Sequence, residues 1–105
     1  MKLIAIAFAA TGLLAAAGSA AAAVSDVDFI KANRCRGLAE SGLTQIDTAA
    51  MDAFIKSESS RRSPPVLDRG KAEYDKAKRE AKTDSTDRKA RLTAELSGPC
   101  QVYKS

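Results

Sequence analysis

Apolar positions between residues 25 and 97 recur mostly at steps of three and four, the spacing that gathers side chains on one face of an α-helix. The first such segment is predicted to start at Ser25, whose side chain can cap the amide of Asp28. It stops at Ser41 and Gly42, where glycine suits the left-handed position that ends a helix. Cys35 falls near its middle. A second segment follows Leu43, capped by Thr44 or Asp47 and running to about Ser57, with Ile46, Ala50, Met51, Phe54 and Ile55 on one broad face. The polar stretch 57–65 reads as a loop because the pair Pro64 and Pro65 cannot continue a helix, although Pro65 can occupy the first turn of the next one.

That third helix is predicted from Val66 to about Lys82, and Leu67, Gly70, Tyr74, Ala77 and Ala81 form the cleanest amphipathic stripe in the chain. Thr83, Asp84 and Ser85 mark a short break, with Ser85 or Asp84 capping a fourth helix that carries Ala90, Leu92, Ala94 and Leu96. Ser97, Gly98 and Pro99 stop it. No alternating β pattern and no internal repeat appears. The predicted fold is all-α, a small three- to four-helix bundle.

Residues 1–23 have a different character. Lys2 precedes an apolar run from Leu3 to Ala17, and small residues from Gly18 to Ala23 follow, the layout of a cleavable signal peptide. Residues 24–105 are then a single exported helical domain of 82 residues with 29 apolar and 29 charged side chains, so its core must be thin. Its large apolar members run from Val27, Phe29, Ile30 and Leu38 to Val102 and Tyr103. Export places Cys35 and Cys100, the only thiols, where a disulfide persists. Closing a loop of this length stabilises the fold by about 4 kcal/mol in the chain-entropy model. The bond would tie a C-terminal strap carrying Val102 and Tyr103 onto the first helix.

The net charge of +4 becomes +3 without Lys2, a mild excess that biases the protein weakly toward anionic surfaces and falls far short of a nucleic-acid signature. No second apolar run approaches the ~20 residues needed to span a membrane. Histidine is absent from the chain, which excludes Ser-His and Cys-His nucleophiles and the commonest zinc ligand. The thirteen carboxylates read as solvated helix faces and caps rather than as an acid/base pair, and the echo of a calcium loop over 84–87 reads equally as a helix start. No enzyme activity, cofactor or metal is expected.

Charges along the third helix alternate in sign, with pairs such as Asp75 and Arg79 at i,i+4, and Arg61 and Arg62 read as exposed loop charge. The first helix carries apolar groups on two sides. Either it is central, with Arg34 lying its stem along the core, or one side is a docking surface anchored by Phe29, Arg34 and Arg36, residue types enriched at interfaces. In size, export and a single disulfide across a helical domain the chain resembles the acid-stress chaperones of the bacterial periplasm. The likeness is architectural and carries over no residue.

The functional expectation is a small exported interaction protein, bacterial and periplasmic or secreted, acting as a regulator, inhibitor or accessory subunit of another envelope or secreted protein. Alternatives are an envelope- or acid-stress holdase and a weak polyanion or anionic-surface binder.

Overall fold

Four α-helices and a closing 3₁₀ turn follow one another through residues 24–103, the part of the chain that the computed structural model describes. The predicted signal peptide lies outside those residues. Helix α1, Asp26–Glu40, opens with a reciprocal cap in which the Ser25 hydroxyl accepts from the Asp28 amide at 3.0 Å and the Asp28 carboxylate accepts from the Ser25 amide. Asp26 and Asp28 also oppose the positive end of the helix dipole. The helix closes at Ser41, and Gly42 then turns the chain at φ +90°, a conformation open to glycine at little cost.

Helix α2, Ala49–Ser59, starts after Asp47, the later of the two expected caps, and not after Thr44. The Asp47 carboxylate accepts from the Ala49 amide at 2.9 Å, a local turn that keeps the preceding residues out of the helix. Ile46 therefore reaches the core from a linker rather than from a helix face. Helix α3, Pro64–Glu80, takes both prolines into its first turn, where the missing amide hydrogen costs nothing. The loop between α2 and α3 thus shrinks to residues 60–63. The predicted break after α3 is present, and the Ser85 hydroxyl accepts from the Arg88 amide to open α4, Thr86–Ser97. A 3₁₀ turn, Pro99–Tyr103, ends the described chain.

Helix α1 is the axis of the molecule. It packs most extensively on α3 and also touches α2, α4 and the 3₁₀ turn. The α1 and α3 backbones approach closely because Gly37 faces the Tyr74 carbonyl and Ala77, while Gly70 faces Phe29 and Asn33. One apolar cluster gathers Leu38, Met51, Ala77, Leu92, Leu96 and the two cysteines. A second unites Phe29, Ala32 and Ile55. The Cys35–Cys100 disulfide is formed and buried, joining α1 to the 3₁₀ turn.

Two residues predicted for the core are at the surface. Val27 is 58% exposed because, two residues before Phe29, it lies almost opposite the side of α1 that α3 covers. Val102 is 72% exposed because the three-residue period of the 3₁₀ turn directs Cys100 and Tyr103 inward and leaves Val102 outside. Among the described residues no helix is long and apolar enough to cross a membrane.

Candidate functional site

Three arginines fasten the helices to one another. Arg34, in the middle of α1, grips Glu95 of α4 with two parallel bonds, Nε to Oε2 at 2.7 Å and Nη2 to Oε1 at 3.0 Å, and reaches Glu80 of α3 at 2.9 Å. The bond from Glu95, opposed by partial burial and reinforced by Glu80, holds the guanidinium above its ordinary range. Arg36 bonds Glu40 and Asp52 of α2, both at 3.0 Å, and stacks 4.6 Å above the Tyr74 ring of α3. The Tyr74 hydroxyl donates to Glu40. Partial burial pushes the Glu40 carboxyl up, but its bonds from Tyr74 and Arg36 outweigh that and hold it below the usual carboxylate range.

Arg62 is the third fastener and overturns the reading of that residue as exposed loop charge, whereas Arg61 is exposed as expected. Its side chain is only 9% exposed. It donates to Asp26 at 2.7 Å, to Glu58 at 2.6 Å and to the Val24 carbonyl at 2.9 Å. The i,i+4 relation to Glu58 was the available signal. On α3, Asp75 pairs with Lys71 at 3.4 Å and not with Arg79.

Of the three side chains expected at a docking face, Phe29 is 2% exposed and packs beneath Gly70, which removes it from any surface. Arg34 and Arg36 lie at the surface margin, partly buried and engaged by carboxylates. The central placement of α1 explains all three positions. A helix covered by neighbours on most sides turns its aromatic residue into the core and its arginines toward the acids of those neighbours.

One strip of α1 is left open by the described residues. Between it and the 3₁₀ turn runs an open groove of about 450 Å³, walled by Asp28, Lys31, Arg34, Cys35, Glu95, Pro99 and Tyr103. Its floor is apolar and its rim carries both signs of charge. The Tyr103 ring leans on Phe54 with centroids 5.6 Å apart. Burial, together with the nearby Asp28 carboxylate, raises the Tyr103 phenol above its ordinary range. Val27 shares the helix face of Lys31 and Arg34, and Val102 precedes Tyr103 in the chain, so each exposed valine neighbours a wall residue of the groove without itself lining it. A second hollow of about 370 Å³, between α1, α3 and α4, is lined by Arg34, Glu80, Arg88, Arg91, Leu92 and Glu95.

Chemically, the groove can seat a side chain and read its charge. Among the described residues no group of histidine, cysteine and acidic side chains is placed to hold a metal ion. Neither hollow brings an activated nucleophile together with a base. Compared with protein-family models, curated proteins and solved structures, the chain matches none.

Proposed function

We propose that this protein is a small exported, non-enzymatic interaction protein that seats a segment of another envelope or secreted protein in the groove between α1 and the 3₁₀ turn. The observation that carries the reading is the position of Val27 and Val102. Both are large, apolar and mostly exposed, and each is the chain neighbour of a wall residue of the same apolar-floored groove, Val27 of Asp28 and Val102 of Tyr103.

The rim indicates the partner's chemistry. Lys31 forms no ion pair among the described residues, so it is available to a carboxylate beside an aliphatic or aromatic side chain in the groove. Cys35 belongs to the wall, and its bond to Cys100 ties that wall to the 3₁₀ turn, which makes the site dependent on an oxidising compartment such as the periplasm or the medium. The test is crosslinked capture with the tagged, oxidised protein at neutral pH, run beside Val27→Asp/Val102→Asp. One stoichiometric protein should be recovered with the parent chain and lost with the variant, whose melting temperature should be unchanged. Equal recovery with both overturns the assignment.

A second reading, an acid-stress holdase, is favoured by the arginine fasteners. Acid would protonate the carboxylates that join α1 to α2, α3 and α4, loosening the bundle while the disulfide limits its expansion. Near-ultraviolet circular dichroism and dye binding that are unchanged from pH 7 to pH 2 would dismiss it.

A further inference from the structure

The net charge of residues 24–105 is concentrated at one corner of the fold. Residues 24–77 hold nine basic and nine acidic side chains and cancel, as do the two charged residues after 91. Residues 78–91, the last turn of α3, the break and the first half of α4, hold six basic against three acidic side chains and so supply the whole excess of +3.

The structure sharpens this imbalance. Glu80, one of the three acids, is turned inward to Arg34 at 2.9 Å, with Lys76 at 3.9 Å. Arg79, Lys82, Arg88, Lys89 and Arg91 are exposed, and none of them forms an ion pair among the described residues. Arg88 and Arg91 lie on the rim of one hollow, whereas Lys89 lies on that of another beside Ala81, so the cations surround the tip instead of lining a single cleft. Asp84 and Asp87 are the acids left to oppose them.

We infer that this corner is a contact surface for an anionic phospholipid layer, adjoining the groove at Arg34 and Glu95 but built from other cations. The form of the patch favours lipid over nucleic acid. Residues 78–91 contain no aromatic side chain on which a base could stack, and the cations are spread around a tip, which suits diffuse attraction to a charged plane. Each cation held at such a surface strengthens binding about fivefold, and salt screens the attraction.

The test is cosedimentation of the oxidised protein with vesicles of phosphatidylcholine alone and of phosphatidylcholine with a third phosphatidylglycerol, at low and at physiological salt. Binding to the anionic vesicles is expected at low salt, weakened at physiological salt, with none to the neutral ones. The variant Arg88→Gln/Lys89→Gln/Arg91→Gln should lose on the order of 100-fold in affinity. Lys56→Gln/Arg61→Gln/Arg69→Gln, with the same net charge but its changes outside the corner, should lose much less. The inference is overturned by equal losses in the two variants, by binding indifferent to phosphatidylglycerol, or by tighter binding to a duplex oligonucleotide than to the anionic vesicles.

Discussion

Replacing Gly37 by alanine probes the packing that the rest of the fold depends on. A methyl group built there stands 2.5 Å from the Tyr74 carbonyl oxygen, 3.0 Å from the Ala77 Cβ and 3.3 Å from the Tyr74 carbonyl carbon. The nearest of these atoms is backbone, so no rotamer change relieves the contact and α3 must move away from α1 as a body. That separation loosens the layer formed by Ala77, Gly70, Asn33 and Phe29. Alanine is the better helix former by about 1 kcal/mol, whereas overpacking of this kind costs about 3 kcal/mol at its upper range. The net expectation is a loss of about 2 kcal/mol. For a domain of this size it corresponds to a fall of about 8–16 °C in melting temperature.

Gly70→Ala is the internal control. There the methyl meets side-chain atoms, Asn33 Nδ2 at 2.8 Å and Phe29 Cε2 at 3.1 Å, which can adjust. Thermal and urea unfolding of the oxidised proteins, followed by far-ultraviolet circular dichroism, should rank the parent and Gly70→Ala above Gly37→Ala. A Gly37→Ala protein as stable as the parent would refute the close approach of α1 and α3.

Removing the disulfide with Cys35→Ala/Cys100→Ala should lower the unfolding free energy by about 4 kcal/mol, read from urea titrations. A loss below about 1 kcal/mol would mean that the loop is already constrained in the unfolded chain. Arg34→Met leaves Glu95 without its cation and Glu80 with only Lys76 at 3.9 Å, and should cost about 1–2 kcal/mol, since the site is partly solvated. Hydrogen exchange should accelerate first in α4, whose hold on the bundle rests on Leu92, Leu96 and this pair. Because the Glu40 carboxyl lies below its unfolded value, its contribution is present above the usual carboxylate range and lost as pH falls through the depressed value. Tyr74→Phe should therefore be the less stable protein near neutrality and lose less on acidification from about pH 5, which a series of melts across pH would show.

The helix boundaries were legible where local chemistry sets them. Ser25, Gly42 and Ser85 act at the ends as their types imply, Gly98 ends α4 at a negative φ of −105° instead of in the left-handed region, and the break at 83–85 separates α3 from α4. The start of α2 stayed open between Thr44 and Asp47 because Ile46 keeps the apolar period into a linker that packs on the core, and period alone does not distinguish the two. Gly37 carried no local signal at all, since its role is to admit the backbone of a helix more than thirty residues away.

The groove was only half legible. Lys31 and Arg34 could be placed on one face of α1 from spacing. Pro99 and Tyr103, however, become the groove's other wall only because the disulfide ties the 3₁₀ turn to α1. Arg62 hides in a polar stretch and is revealed as a fastener by Asp26, whose position relative to it depends on the tertiary fold.

The central claim is that the groove between α1 and the 3₁₀ turn, with exposed Val27 and Val102 next to its wall residues Asp28 and Tyr103, meets another exported protein. It is tested most directly by a photoreactive residue placed at position 102, with position 72 on the exposed face of α3 as the control, illuminated in the native envelope. The account predicts one discrete adduct with a different protein from position 102, absent from position 72 and suppressed by Val27→Asp. An adduct only with a second copy of this chain, or the same pattern from both positions, would contradict it.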